Sequence, residues 1–242
     1  MPYQFASCLG LRSFVLSASL VVALGLVCAC ATAPVGPPVP APTLTVGDHW
    51  TYRITDNLRR GLVTMLDADV VSTMAGVATV RLVYNNEYGR EELTEEMNAE
   101  GGLVVGALKE ERVRRFPVPI EMYRFPLQQG LTWRQIVDTV SPETQLPAQI
   151  LVYATVQGRA SNTVPAGPFN TIYIYRIIQL DDEQFWRTRT TRNDSVWFSP
   201  DVKAPVRELR DASYVWRDGS TSPLVRTENT TRELISFKAG SY

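Results

Sequence analysis

The densest group of carboxylates in this chain of 242 residues is Asp181, Asp182 and Glu183, and carboxylates are the side chains that could do acid–base chemistry here. A glycosidase would need a second carboxylate about 5 to 9 Å away across a cleft, and no sequence pattern fixes one. Between two predicted strands, these acidic residues are typical of a hairpin turn. No nucleophile elbow, phosphate loop or metal motif is present. We therefore predict no catalytic residue and no enzymatic activity.

Histidine and cysteine chemistry is limited by the small number of these residues. His49 is the only histidine, which excludes histidine-dependent triads and multi-histidine zinc sites within one chain. Beside Asp48 and Trp50 it is typical of a turn that enters a strand, and a catalytic pairing with a carboxylate is the alternative. All three cysteines lie within the first 30 residues, so the folded part has no disulfide or thiolate metal site.

Four glutamates at positions 91, 92, 95 and 96 could attract a divalent cation. A hard cation needs six or more converging oxygens, and the spacing of a calcium loop is absent. Residues 91–100 are rich in helix formers and predict either a short helix with a solvated face or a strand end with a charged turn. We predict no metal and no cofactor.

Cys30 is the residue whose surroundings predict a specific covalent modification. Residues 13–27 form an apolar run of signal-peptide length that is too short to span a bilayer comfortably. The tetrapeptide Val27-Cys28-Ala29-Cys30 ends this segment, and it resembles the lipobox of bacterial lipoproteins, in which an aliphatic and a small residue precede the acylated cysteine. We predict a signal peptide over residues 1–29 and lipidation of Cys30.

Three alternatives are open for this segment: acylation of Cys28, secretion after cleavage near Ala33, and an uncleaved signal anchor. A diacylglycerol plus an amide-linked acyl chain such as palmitate exceeds the two-chain threshold for stable anchoring, at about 0.8 kcal/mol per buried methylene. Lipoproteins with Asp after the cysteine stay in the inner membrane of Gram-negative envelopes, so Ala31 predicts an outer-membrane, periplasm-facing protein. The proline-rich residues 30–43 predict the lipidated end and an extended tether.

Residues 44–242 carry the pattern of one antiparallel β domain, all-β or β-rich α+β. Residues 77–84 alternate strictly, with Ala78, Val80, Leu82 and Tyr84 on one face and wetter positions on the other. Turn signals, among them residues 181–182 and 192–194, separate short β-rich segments, which favours hairpins in a meander over βαβ crossovers. These segments are residues 50–54, 62–71, 149–157, 170–180, 185–192, 195–198, 206–216 and 225–237.

Charge argues against a nucleic-acid partner. The chain has 24 basic and 25 acidic residues, and removal of the leader with Arg12 leaves 23 against 25, a net charge of −2. Only Lys109, Lys203 and Lys238 are lysine, so arginine dominates. We interpret this excess, which is spread along the chain, as base composition of the genome; a functional arginine patch on one face is the alternative.

Four motifs, in this order, carry a family resemblance: residues 47–53 (GDHWTYR), 126–133 (PLQQGLTW), 164–169 (VPAGPF) and 197–207 (WFSPDVKAPVR). They resemble G-x-x-W-x-Y, P-L-x-x-G-x-x-W, V-P-A-G-x-F and W-Y-A-P-x-V-G-x-V in a set of uncharacterised bacterial envelope lipoproteins. The chain departs at Phe198, Ser199 and residues 203–204, where the family has Tyr, Ala and Gly. The first two motifs also echo each other, as a recurrent strand-entry turn or as a trace of duplication.

The resemblance implies a single curved antiparallel sheet forming an open or half-closed barrel. It is similar in class to the carrier and receptor of the lipoprotein-localisation pathway, whose concave face binds acyl chains. We expect a noncatalytic binding or accessory lipoprotein that shelters an apolar ligand or docks an envelope partner. The alternative is a structural envelope protein that docks a partner through its sheet edge or face, and a hydrolase is a minority alternative. The tryptophans that could line a cavity, or else fill an ordinary core, are Trp50, Trp133, Trp186, Trp197 and Trp216.

Overall fold

The computed structural model describes residues 36–109, 112–217, 219 and 221–241. The predicted signal peptide, Cys30 and the first part of the predicted tether lie outside these residues. All the described residues belong to one compact unit. Within them, no helix has the length and apolar character needed to cross a membrane.

Twelve β-strands and a single turn of 3-10 helix at Pro200–Val202 make up the described part of the chain. Short turns join most of the strands, as the sequence predicts for a meander. The strands are β1 His49–Asp56, β2 Leu62–Met74, β3 Val77–Asn86, β4 Gly89–Asn98, β5 Gly102–Gly106, β6 Arg114–Glu121, β7 Thr132–Val140, β8 Pro147–Val164, β9 Gly167–Gln179, β10 Thr191–Ser199, β11 Ala204–Val215 and β12 Leu224–Lys238.

One sheet contains all these strands, in the order β6-β5-β4-β3-β2-β1-β12-β11-β10-β9-β8-β7. Consecutive strands pair antiparallel, except β6 and β7, and β1 pairs with β12 to join the first and last strands. The edge strands β6 and β7 lie beside each other without forming a ladder. The fold is therefore a nearly closed barrel with one unsealed seam, and the predicted all-β class with a single curved antiparallel sheet is confirmed.

Two prolines explain why β6 and β7 do not pair. Gln135 Nε2 donates to the carbonyl of Pro119 at 2.9 Å, so this side of β6 faces β7. The N–H and C=O of a strand residue point to the same side, and Pro117 and Pro119 therefore remove two donors from that edge. Side chains bridge the gap, since Gln135 Oε1 accepts from the Glu121 N–H at 2.9 Å and Trp133 Nε1 donates to the Glu121 carbonyl at 3.0 Å. Two side chains of β7 thus bridge the seam, which has no backbone ladder.

Two local predictions are wrong, and one open alternative is decided. Residues 91–98 belong to β4 and not to a helix, because their inward side chains alternate with a period of two. Of the strand predicted over residues 185–192, residues 185–186 form a turn closed by the Gln184–Arg187 bridge, and only residues 191–192 lie in a strand, β10. The turn predicted at residues 192–194 is part of β10, where Arg192 and Asp194 are both buried on the inward face.

The interior of the barrel is packed on one side and hollow on the other. The inward alternation predicted for β3 is confirmed, since Ala78, Val80 and Leu82 are buried on its inner face. These side chains border open space inside the barrel. The strands from β7 to β10 instead enclose a tightly packed core, whose fully buried members include Val137, Ile150, Val152, Ile174 and Ile178.

The last part of the predicted tether is attached to the barrel. Val39 and Leu127 exchange two backbone hydrogen bonds, of 2.8 and 2.7 Å, and both side chains are buried. Arg159 donates to the carbonyl of Pro37 at 2.6 Å. Residues 37–39 are therefore attached to the folded unit.

The sequence echo marks equivalent places in the two halves of the meander. Gly47 and Gly130 both have positive φ, 88° and 83°, which glycine adopts without a steric penalty. Each precedes a strand whose second residue is a tryptophan, Trp50 in β1 and Trp133 in β7. β1 and β7 each open a run of six strands, so the motif works as a turn that enters the first strand of each half.

Candidate binding cavity

A cavity of about 1020 Å³ occupies the hollow side of the barrel. Small-molecule pockets commonly measure about 300–1,000 Å³, so this one is large. Its apolar wall comes from inward positions of β2, β3 and β4, which the strand register sets side by side. The wall consists of Leu66, Ala68, Val80, Leu82, Leu93 and Met97.

Strand β1 adds two aromatic rings whose polar atoms are already bonded. Trp50 Nε1 donates to the carbonyl of Val202 at 2.7 Å, and the Tyr52 hydroxyl donates to the carbonyl of Pro205 at 3.0 Å. Burial raises the pKa of Tyr52 well above its ordinary value, so the hydroxyl stays a neutral donor. Both residues therefore present ring surface to the cavity.

Charged residues occupy inward positions on the opposite wall. The register places Arg176 of β9 opposite Asp194 of β10, and Asp194 opposite Arg210 of β11. Beside this row, Glu208 of β11 lies opposite Arg232 of β12. Opposite charges at facing positions of antiparallel strands attract each other. We refer to Arg176, Arg192, Asp194, Glu208, Arg210 and Arg232 as the arginine cluster.

The Asp194 part of the arginine cluster is fully buried and closed. Arg176 binds Asp194 through Nε and Nη2 at 3.0 and 2.8 Å, and its Nη1 donates to the carbonyl of Met122. Arg192 binds Asp194 through Nε and Nη2 at 2.9 and 3.0 Å, and its Nη1 donates to the carbonyl of Leu108. Burial opposes ionisation of Asp194, but Arg192 and Arg176 outweigh it and hold its pKa below the ordinary value. Every nitrogen of these two arginines is engaged.

The Glu208 part of the arginine cluster faces the cavity and is open. Arg210 donates from Nε to Glu208 at 3.0 Å, and Nη2 of Arg232 forms an ion pair with the same carboxylate. Burial opposes the charge on Glu208, yet Arg210 and Arg232 hold its pKa far below the ordinary value. Among the described residues, Nε of Arg232 has no hydrogen-bond partner. Arg232 also lies over the Tyr52 ring, with its guanidinium carbon 4.9 Å from the ring centroid.

Two further carboxyl groups line the cavity. Burial raises the pKa of Glu95 on β4, although Arg210 and Arg232 favour its charged form, so this carboxyl tends toward the neutral acid. Glu228 on β12 accepts a hydrogen bond from the Thr230 hydroxyl at 3.1 Å. The arginine cluster therefore holds four cations against two carboxylates of its own, with these two groups nearby.

The structure places the five tryptophans in different environments. Trp50 borders the cavity, and the other four lie away from its wall. Trp133 lies at the seam, where it donates a hydrogen bond to the Glu121 carbonyl, and Trp197 stacks on Tyr173 with ring centroids 4.9 Å apart. Trp186 and Trp216 contact each other at one end of the barrel, with centroids 4.6 Å apart.

The acidic residues 181–183 form structural ion pairs in the connection between β9 and β10. Asp182 accepts hydrogen bonds from the Thr190 N–H and from Lys109 Nζ, at 2.7 and 2.9 Å. These bonds hold the pKa of Asp182 below its ordinary value, although burial opposes them. Asp181 accepts from Arg114 at 2.7 Å. The residues predicted as a hairpin turn thus fasten a longer connection.

His49 lies on the outer face of the barrel, away from the cavity. Its Nδ1 is 2.7 Å from a carboxylate oxygen of Asp69, which also accepts from Arg81 at 3.0 Å. Its Nε2 is 3.2 Å from the Thr51 hydroxyl, which donates to Asp67 at 2.8 Å. These contacts tie β1, β2 and β3 together. Within the described residues, no group of three or more His, Cys, Asp or Glu is placed to hold a metal ion.

The arginine cluster is a candidate functional feature that the sequence analysis did not locate, although an arginine patch on one face is its stated alternative. The interpretation of the arginine excess as base composition does not account for four arginines that converge on one cavity wall. A signal exists, because Arg176 interrupts an inward row that includes Ile174 and Ile178. Residues 192–194 and 208–210 also place two charges on one face at a spacing of two.

Two solved structures are similar to this chain. One is a candidate lipoprotein from Parabacteroides distasonis, 14% identical, with a TM-score of 0.47, covering 84% of this chain and 100% of its own. Another is a candidate exported protein with a YmcC-like fold from Bacteroides fragilis, 10% identical, with a TM-score of 0.42 and the same coverage. No protein-family model matches the chain. No curated protein matches it at a significant level either.

Proposed function

We propose that this protein is a noncatalytic binding lipoprotein of the bacterial envelope, which shelters an apolar ligand inside its barrel. It is anchored through acylated Cys30 to the outer membrane and faces the periplasm. The observation that carries the proposal is the cavity of about 1020 Å³ behind an apolar wall. The sequence around Cys30 and Ala31 supports the anchor and its location, as the lipobox resemblance and the sorting rule imply.

A hollow apolar wall supports binding because protein interiors are normally packed as densely as organic crystals. Residues on the inner face of β2 and β3 lose packing contacts where they border open space, and this weakens the fold. The β7–β10 side of the same barrel is packed, so the chain can fill its interior. A ligand that occupies the cavity would restore the missing contacts.

The chemistry of the cavity supports a noncatalytic role. Asp194 and Glu208 are held as ions by arginines, which makes them poor proton acceptors. His49 and its carboxylate partner lie on the opposite face of the sheet. The carboxylates at residues 181–183 are engaged in ion pairs.

Docking through the sheet edge is less favoured by the geometry. The two edge strands lie beside each other, and Gln135 and Trp133 bridge the seam between them. A partner strand would have to displace these bonds before it could pair with β6 or β7.

The proposal is tested with residues 31–242, exported with a leader that is cleaved without lipidation. This chain contains the whole compact unit.

We expect native mass spectrometry of the purified protein to find a stoichiometric apolar molecule. If that molecule is first extracted and hexadecanol is added, we expect one bound hexadecanol. Ala68→Trp, which places a large side chain in the cavity, should weaken hexadecanol binding at least about tenfold. Val63→Trp on the exposed outer face of the same strand is the matched control and should bind normally. An empty monomer that also fails to bind hexadecanol would contradict the proposal.

A further inference from the structure

We propose that the ligand of this cavity is an anionic amphiphile, whose carboxylate or phosphate headgroup binds Arg210 and Arg232 while its chain lies along the apolar wall of β1–β4. This inference rests on the proposed function and specifies the class of ligand.

The first argument is the balance of buried charge. The arginine cluster holds four guanidinium groups and two carboxylates, all on the inner face of the barrel. Buried charges are costly unless they are paired, and Asp194 already satisfies two of the cations. Glu208 is shared between Arg210 and Arg232, and it also lies 3.6 Å from Nη2 of Arg176. Glu228 is a further carboxylate that interacts with Arg210, which leaves four cations against three carboxylates. One additional anion would complete the pairing on the cavity side.

The second argument is that the two arginines beside the cavity keep donors that no described residue uses. A guanidinium has five N–H groups, and Arg210 uses only Nε–H in hydrogen bonds to described residues. Both Arg210 and Arg232 line the cavity, with side chains 29% and 24% exposed, whereas Arg176 and Arg192 are almost completely covered. Planar guanidinium groups with free N–H groups fit carboxylates and phosphates, and such charge-assisted bonds are strong.

The third argument is that Arg232 lies directly beside apolar side chains of the cavity wall. The register places Arg232 directly opposite Ile54, and Tyr52 is stacked beneath its guanidinium group. The inner faces of β2 and β3 continue this surface through Leu66 and Leu82. A molecule that touches both parts needs an anionic end and an apolar chain.

The other carboxyl groups are compatible with such a headgroup. Burial raises the pKa of Glu95, which favours its neutral form, and a protonated carboxyl can donate a hydrogen bond to an anion. Glu228 lies opposite Ala212, which is the next inward residue after Arg210 on β11. Glu228 also accepts a hydrogen bond from Thr230. A cationic headgroup would face the excess of arginines, and a neutral one would leave their N–H groups unpaired.

The test compares three ligands with the same chain length: hexadecanoate, hexadecyl phosphate and hexadecanol. Binding to residues 31–242 is measured by isothermal titration calorimetry, below the critical micelle concentrations of the two anions and the solubility limit of hexadecanol. We expect the better anion to bind at least about tenfold tighter than hexadecanol. The preferred anion then shows whether the headgroup is a carboxylate or a phosphate.

Substitutions locate the headgroup. Arg210→Met and Arg232→Met should each weaken anion binding about 10- to 100-fold, as expected for a lost charge-assisted hydrogen bond, and should leave hexadecanol binding unchanged. Arg226→Met, on the same strand as Arg232 but exposed and paired with Asp211, is the matched control and should change neither.

The outcomes separate the two proposals. If hexadecanol binds as tightly as both anions, the headgroup inference is wrong and the proposed function stands. If none of the three ligands binds, the proposed function is wrong as well. Should both arginine variants fail to fold, the ranking of the three ligands on the unaltered chain still decides. Equal loss of anion and alcohol binding in the variants would also overturn the inference.

Discussion

The Asp194 and Glu208 parts of the arginine cluster have the same composition, two arginines and one carboxylate, but differ in their surroundings. Asp194 is enclosed, and each nitrogen of Arg176 and Arg192 has a partner. Glu208 lies at the edge of the cavity, and Nε of Arg232 has no hydrogen-bond partner among the described residues. A saturated ion cluster fixes strands in place, whereas an unsaturated one beside open space can bind something else. The same contrast separates the packed and hollow sides of the barrel.

The largest expected effect comes from breaking the closed part. Asp194→Asn should cost about 3–5 kcal/mol of unfolding free energy, because it leaves two buried guanidinium groups without a counterion. Glu208→Gln should cost about 1–2 kcal/mol, since Arg210 and Arg232 can reach water in the cavity. Urea unfolding measures both. Equal losses would show that the two parts are equally enclosed.

A second comparison uses isoleucine on the two sides of the barrel. Ile174→Ala in the packed core should cost about 2–5 kcal/mol, because it leaves a cavity among fully buried neighbours. Ile54→Ala borders space that is already empty and should cost about 1 kcal/mol. Thermal and urea unfolding of both variants give the difference. A larger loss at Ile54 would mean that the hollow side is packed in solution.

The seam gives a smaller effect. Gln135→Ala removes two hydrogen bonds to the backbone of β6 and should cost about 1–2 kcal/mol. It should also expose the edge strands, which size-exclusion chromatography would detect as concentration-dependent association. Gln149→Ala, where an exposed glutamine binds only Asp138, is the control and should change stability by no more than about 0.5 kcal/mol. If Gln135→Ala changes neither the free energy of unfolding nor the association state, the prolines alone keep the edge strands apart.

Period-two patterns made the sheet predictable, and the same patterns hide the cavity. The alternation of residues 77–84 correctly identifies the inner face of β3, yet Ile174 in the core and Leu82 on the cavity wall follow the same rule. The contacts of the arginine cluster join strands that are distant in the chain, such as Glu208 and Arg232, and no local pattern sets that register. Residues 192–194 predict a turn because Asn and Asp are typical turn residues, yet these residues lie inside β10. A charge in an inward row, as at Arg176, is the signal that would have located the cluster.

The smallest expected effect is on the pH dependence of stability. It compares Asp194, which arginines hold in its charged form, with Glu95, whose charged form is opposed by burial. The pKa of Asp194 is lowered in the folded state, so its stabilising contribution is present above its unfolded value of about 3.9 and is lost as pH falls through the folded pKa. The pKa of Glu95 is raised, so its contribution is present below the unfolded value of about 4.3 and is lost as pH rises through the folded pKa. Glu95→Gln should therefore raise Tm relative to the unaltered protein at pH 7, and the difference should disappear below about pH 4. Glu92→Gln, exposed on the other face of β4, serves as the control. A Glu95→Gln variant less stable at pH 7 would show that this carboxyl is paired with the open arginines, which would leave fewer of their N–H groups for a ligand.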